Sequence, residues 1–535
     1  MMGHRFRAPS TDGGVLAQPP IDECQTLAWS NFHRLNAWNH DFQGQTSGEL
    51  RRIARQDLLE GSRAYLASLG QPAPDVDPVW RDRPLVLSGH QPELFHPGVW
   101  VKNFVGGQLA KNLGGLSAHI IVDNDLPKSA AVRVPTLRNQ SLHTSFVEFD
   151  HQNPEVPFEC WQLGNADLFQ AFPTRVQATM AGLGIEPLLP EFWLVAQKQL
   201  TRTQSIGLSF AAARRSLEVG WGLKNLDIPL SSLCQTEPFL WFFCHLIAHL
   251  DRFWLIHNQA LDVYRQANRI RSRNHPVPPL REQGEWREAP FWVWRAGQAR
   301  RRSLMVARSG AELLLRISGE EQEFLRLPLL INQDAQKAVE RLRTLPELGI
   351  ALRTRALTTT LFSRLILSDL FIHGIGGAKY DELGDTILQQ FFGIEPPGFL
   401  TLSLTLWLGL PQHQVTAESR RALKLRIRDH IFNPDRHLPT PMPNQAAAIV
   451  ERKRAAIHGP VSTHAERASR CRTINDCNRQ LAPFVLGQLQ QLRLEEAKLD
   501  RELHEDRWAR YREYPFVLFS EKRLAQAMGS AATTR

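Results

Sequence analysis

The stretch Arg83-Pro84-Leu85-Val86-Leu87-Ser88-Gly89-His90-Gln91-Pro92 decides the reading of the fold. Leu85 to Leu87 is a short continuous apolar run, the pattern of a strand buried on both faces. It stops at the turn Ser88-Gly89-His90-Gln91-Pro92. Val99 to Leu113 follows as a helical stretch, stopped by Gly114-Gly115. His119-Ile120-Ile121-Val122 reads as the next strand and ends in Asp123-Asn124-Asp125. Strand, turn, helix and strand in that order make a βαβ unit. Such a unit needs a parallel sheet with helices on its faces, so the expected fold class is α/β.

Outward from this unit, the chain divides into six stretches. Residues 1–80 are a polar lead and helices, with helical spacing at Leu50, Ile53, Ala54 and Leu58. Residues 81–165 are the first part of the sheet core, and 166–285 a helical segment. Residues 286–328 read as an inserted antiparallel meander, with apolar runs at Phe291-Trp292-Val293-Trp294, Ser303-Leu304-Met305-Val306 and Glu312 to Ile317 separated by Gly297 and Gly310. Residues 329–410 return to the core, and 411–535 form a helical C-terminal region. Within it, the Leu spacing and interleaved charges of 481–512 suit a helical hairpin or short coiled coil.

Composition narrows the function classes. The 535 residues are 43% hydrophobic and 22% charged, as in an ordinary globular protein. A net charge of +9 and a pI near 9.4 favour anionic partners in general, and with no zinc-finger spacing and no arginine-rich arm a nucleic-acid partner is not expected. Cys24, Cys160, Cys234, Cys244, Cys471 and Cys477 show no CxxC spacing, so reduced thiols are expected rather than a secreted disulfide framework. Residues 1–20 lack the apolar core of a signal peptide. The apolar run Phe239 to Ile256 is interrupted by His245, His249, Asp251 and Arg252, and reads as a buried helix rather than a membrane span. A cytoplasmic protein is expected.

Three constellations could carry chemistry. At the first strand's end, Gly89, His90, Gln91 and His96 precede Lys102, where open α/β sheets bind ligands. A tight turn with satisfied polar side chains would explain the same residues. At the second strand's end, Asp123, Asn124 and Asp125 could hold an amine, a hydroxyl or a metal, or simply form a turn. The third is His373-Gly374-Ile375-Gly376-Gly377-Ala378-Lys379-Tyr380-Asp381, read as a glycine-rich loop before a helix from about Asp381, an anion site that is neither a Walker loop nor a full dinucleotide fingerprint. His245 and His249 are one helical turn apart, but the Glu of HExxH is absent, so core or partly buried histidines are expected and no metal ligand set is assigned. Arg269, Arg271 and Arg273 form a basic cluster, either a solvated helix end or an anion clamp. No G-x-S-x-G nucleophile elbow is present.

At these three motifs the sequence resembles the cysteine-adding enzymes of bacillithiol biosynthesis, the BshC-like cysteine ligases. That family carries T-G-Q-Q-x-G-L-x-T-G-P at the first turn. Gly89, Gln91 and Leu94 fit it; His90, Glu93 and His96 depart from it. Asp123-Asn124-Asp125 stands where the family has E-D-H-D, and Gly376-Gly377 matches its later glycine pair. The resemblance spans much of residues 84–400. It implies a Rossmann-like core with inserted segments and a coiled-coil dimerisation region, similar to class I aminoacyl-tRNA synthetases, and the joining of cysteine to an amino sugar bearing malate. The two departing histidines add groups that ordinarily titrate near neutral pH, and they allow a branch acting on another amine or acid. They also resemble the nucleotidyl-transfer signature, at a longer spacing.

The expected function is thus a ligase-type enzyme for an anionic small molecule. His90 or His96 would be acid or base, and Asp123 and Asp125 would hold the second substrate's amine or hydroxyl. Gly89, Gln91, Lys102, Asn124, His373, Gly374, Gly376, Gly377 and Lys379 would bind substrate or nucleotide. ATP or another nucleotide is the expected activator, and a homodimer through the C-terminal helices is expected. The other readings are a nucleotidyltransferase-like enzyme of the same superfold, and a non-catalytic scaffold that recruits a partner or RNA through basic helices 415–455 and the charged hairpin 481–512.

Overall fold

The computed structural model describes residues 6–151, 155–270 and 277–533. They fall into two compact units. The first holds Met1–Val134, Ser145–Leu408 and Arg512–Arg535; the second holds Pro135–Thr144 and Gly409–Tyr511. The fold is mixed α/β, with a mostly parallel sheet in the first unit and helices in the second.

In chain order the strands are β1 (Val15–Gln18), β2 (Leu85–His90), β3 (Leu116–Ile121), β4 (Ala131–Arg138), β5 (Ser141–Glu148), β6 (Leu226–Pro229), β7 (Glu282–Gln283), β8 (Trp286–Arg295), β9 (Gln298–Ser309), β10 (Glu312–Ile317), β11 (Glu323–Pro328), β12 (Ile350–Thr354), β13 (Leu370–His373) and β14 (Leu400–Leu404). The main sheet runs β1-β14-β13-β2-β3-β6. β14, β13, β2, β3 and β6 are mutually parallel, and β1 closes the edge antiparallel to β14. Leu85 pairs with Leu116 and His90 with Ile121, so the polar ends of β2 and β3 emerge side by side.

The sheet's register is set by buried charge as well as by apolar runs. Asp369, just before β13, accepts the Leu85 N–H at 2.7 Å and pairs with Arg51 at 2.7 Å and Arg55 at 3.2 Å. Both arginines come from the helix Ser47–Ser68, which this ties to the starts of β2 and β13. The helix Pro97–Leu113 returns the chain from β2 to β3. Pro97 opens it, and Gly114 at φ 65° ends it in the left-handed region that glycine tolerates.

Several elements differ from the sequence expectations. β6 lies inside the stretch expected to be mostly helical; its four residues are buried and too few to show periodicity. The run Phe239 to Ile256 is not one helix. It breaks at His249 into Glu237–Ala248 and Leu250–Ala267, bent by 83°. Among the described residues no single helix is long and apolar enough to cross a membrane. The antiparallel sheet extends past the expected meander: β7 and β12 both pair with β8, so β12 leaves the expected second part of the core. Gly297 and Gly310, at φ 77° and 60°, make its turns. The helix after β13 begins at Ile375, not near Asp381, so Gly374 is its N-cap and Gly376 and Gly377 lie in its first turn.

In the second unit, the helix His464–Ala509 has 46 residues and starts well before the expected Leu481. Thr463 and Glu466 cap it reciprocally. Ala417–Phe432 packs along its later part, with Arg420 paired to Asp500 at 2.6 Å. Asn444–His458 packs along its earlier part around Ala446, Val450 and Leu481. The final helix, Glu521–Thr533, belongs to the first unit and packs on Pro97–Leu113 rather than joining the helical unit.

Candidate functional site

A cleft of about 930 Å³ opens at the carboxyl ends of β13, β2 and β3, where parallel α/β sheets place their ligands. Its walls come from all three constellations. Gly89, His90, Gln91, His96 and Lys102 line it, as do Asn124 and Asp125, and so do His373, Gly374, Gly376, Gly377 and Lys379.

The first turn supplies its polar floor. Lys102 is buried, with 2% of its surface exposed, and its Nζ donates to the Gly89 carbonyl at 2.7 Å. Burial, reinforced by the charge of Arg214, lowers its pKa to about 7. No carboxylate pairs with it among the described residues. The His90 Nδ1–H donates to the Gln91 carbonyl at 3.1 Å, which leaves Nε2 as an acceptor. His96 caps the following helix, its Nδ1 accepting the Gly98 N–H at 3.1 Å. Burial and neighbouring cations hold His90 well below its ordinary pKa and press His96 to about 3. The histidines therefore do not titrate near neutral pH, as their type alone suggests; Lys102 does. Gly89 also packs closely on β3, where a Cβ would lie 3.2 Å from the Ile120 carbonyl oxygen.

The acidic strand end splits. Asp123 lies outside the cleft, fully buried, accepting the Ser231 backbone N–H at 2.9 Å and its hydroxyl at 2.5 Å. Burial and the nearby Glu159 raise its pKa to about 7. Asn124 donates to the Thr354 carbonyl at 2.8 Å and ties this turn to β12. Asp125 faces the cleft, where Gln91 donates to it at 2.7 Å and Arg301 pairs with it at 2.8 Å. Two free carboxylates side by side are thus not what the turn presents. It presents one carboxylate, oriented by an amide and neutralised by a guanidinium.

The third wall is a helix start. Gly374 caps Ile375–Phe391 without a side-chain bond, so the first backbone N–H groups and the positive end of the helix dipole remain for the cleft. A Cβ at Gly374 or Gly376 would meet nothing within 4 Å, while one at Gly377 would lie 2.7 Å from His373 Nδ1. His373 is held from its other side: Nε2 bonds Asp381 at 2.5 Å, and Asp381 pairs with Arg364 at 2.7 Å. Burial alone would raise the Asp381 carboxyl, but Arg364 and His373 hold it well below the usual carboxylate range. Lys379 is exposed at the rim.

Sequence reasoning missed the wall contributed by the antiparallel sheet. Arg301 of β9 and Arg355 after β12 lie 5.0 and 4.2 Å from the ring centroid of Trp292 on β8. Arg355 is neutralised by Glu288 at 2.5 Å. Arg512, from near the C-terminus, reaches the cleft and donates to Ser403 at 2.8 Å. The only local signal was alternation in Arg300-Arg301-Arg302, which puts the middle arginine on the opposite face from its neighbours. His245 is buried in the first unit and His249 half-buried beside it; the His245 Nε2 meets the His40 Nε2 at 3.1 Å, and burial presses the His245 pKa to about 2. Among the described residues no three His, Cys, Asp or Glu side chains are grouped to hold a metal ion. Arg269 lies in the turn after the helix Leu250–Ala267, at φ 54°; Arg271 and Arg273 lie outside the described residues. No protein-family model matches this chain, and no curated protein matches it.

Proposed function

We propose that this cleft is the active site of a BshC-like, ligase-type enzyme on a Rossmann-like core, acting on an anionic small molecule and an amine. One observation carries the reading. Lys102 is a buried ammonium without a carboxylate partner, set in a cleft beside an open helix N-terminus. Buried charges are ordinarily paired, so the missing counter-charge comes with the ligand: a phosphate or carboxylate. Joining an amine to a carboxylate needs an activated donor, for which ATP or another nucleotide is the fitting source. Its phosphates would lie between Lys102 and the N–H groups of Ile375 to Gly377. The neutral imidazole of His90, with Nε2 as an acceptor, would orient the attacking amine by hydrogen bonding rather than take its proton, since its pKa is held well below the ordinary value. Asp125, oriented by Gln91 and Arg301, would hold that amine before reaction.

The test is a thermal-shift series with ATP, ADP, UDP-sugars and cysteine. A ligand at a hundred times its Kd stabilises the folded state by about 2.7 kcal/mol. A shift with an anionic ligand that Lys102→Met abolishes supports the reading. No shift from any of them at saturation contradicts it.

A further inference from the structure

The excess of positive charge has an address in the fold. The first unit carries 44 Lys and Arg against 42 Asp and Glu; the second carries 19 against 12. Seven of the nine net positive charges therefore sit on the smaller, helical unit. Part of that basic set is used between its helices: Arg420 pairs with Asp500, Arg426 with Glu495, Arg452 with Asp476, and Lys453 with Asp435. These pairs leave the outer side of Ala417–Phe432 unaccounted for.

That outer side is a single stripe. Arg421, Lys424 and Arg428 follow at spacings of three and four, which puts them on one face of the helix over about 10 Å. All three are exposed, and none has an acidic partner among the described residues. Leu425 and Phe432 share the face, 57% and 52% exposed. The Arg428 guanidinium lies 5.7 Å from the Phe432 ring centroid. Arg454, Arg467 and Arg472, exposed elsewhere on the unit and also without acidic partners, strengthen its positive field.

Unneutralised cations interleaved with an open aromatic face are what a single-stranded nucleic acid recognises: guanidinium and ammonium groups meet phosphates, and the ring stacks on a base. We propose that the Arg421–Lys424–Arg428–Phe432 face of the helical unit binds single-stranded nucleic acid. The charge of the whole unit attracts the strand, and this stripe engages it. The inference rests on charge placement in the second unit and is independent of how the cleft is read.

The experiment is fluorescence anisotropy of the full chain with a labelled oligouridylate, repeated over a range of NaCl. Wild-type protein should bind at low salt and lose affinity steeply as salt rises. Arg421→Gln/Lys424→Gln/Arg428→Gln should weaken binding at least tenfold and lower the slope of log K against log salt by about 2, for three phosphate contacts at roughly 0.7 each. Phe432→Ala should weaken binding several-fold and leave the slope unchanged. These four positions are exposed, and circular dichroism of each variant should match wild type; a variant that does not match is replaced by Lys424→Gln alone, with a slope change of about 0.7 expected. Absence of binding at low salt overturns the proposal, as does binding that the triple variant leaves intact. Binding to phosphatidylglycerol vesicles or to polyglutamate, with none to the oligonucleotide, also overturns it in favour of a lipid or protein partner.

Discussion

In the sheet unit, one set of charged side chains is drawn inward and matched. The Arg51–Asp369 pair is 3% and 0% exposed, and Arg214 is clamped between Glu218 and Asp227 in the same way. In the helical unit, most pairs stay at the surface, as Arg420 and Asp500 do at 45% and 41% exposed; Lys453 with Asp435 is the exception. The difference separates two uses of charge. Buried pairs are poor sources of net stability, but each partner is locked once the other is present, so they position strands and helices. Surface pairs leave the helices free to carry an excess of one sign. Against this background Lys102 stands out, because it is buried like the first set yet has no carboxylate partner among the described residues.

The comparison breaks most visibly at Asp369. Asp369→Ala strands two buried guanidinium groups and the Leu85 N–H, and should cost about 3–5 kcal/mol. Urea unfolding followed by tryptophan fluorescence measures it, and a loss below about 1 kcal/mol would show that this pair belongs with the surface class. Lys102→Met removes the unmatched ammonium. Its melting temperature should equal or exceed wild type, since an unpartnered buried charge is costly, while nucleotide affinity should fall at least tenfold in calorimetric titration.

A subtler outcome concerns pH. Free Lys102 has a pKa of about 7, lowered by burial, and a bound anion raises it. Above pH 7 the free cleft therefore holds mostly neutral lysine, and binding must take up a proton. Affinity should fall as pH rises, by up to about tenfold per unit. Titrations at pH 8 in two buffers of different ionisation enthalpy read the proton directly; uptake near zero would place the anion away from Lys102. At the small end, Arg420→Ala in the helical unit should change stability by about 0–1 kcal/mol in the same urea assay.

How much of this was legible in the sequence follows from the range of the interactions. The βαβ unit from Leu85 to Asp125 was readable because doubly buried strands are continuous apolar runs and Gly114 marks the helix end. β6 was not, since Leu226-Asp227-Ile228-Pro229 is short and carries a buried aspartate paired with Arg214, a partner on another element. The helix start at Ile375 was hidden because Gly376 and Gly377 look like loop, yet the turn behind His373 needs a residue without a Cβ. Asp123 and Asp125 were indistinguishable by type; Ser231, more than a hundred residues away, takes one of them out of the cleft. Arg301, Arg355 and Trp292 were missed because an inserted sheet brings them in, and no local pattern announces a wall built from elsewhere.

The most direct test of the cleft is a crystal structure of the protein soaked with ATP. Phosphate oxygens should lie within about 3 Å of Lys102 Nζ and of the backbone N–H groups that begin the helix at Ile375. An ordered nucleotide bound elsewhere, with Lys102 touching only Gly89, would contradict the account.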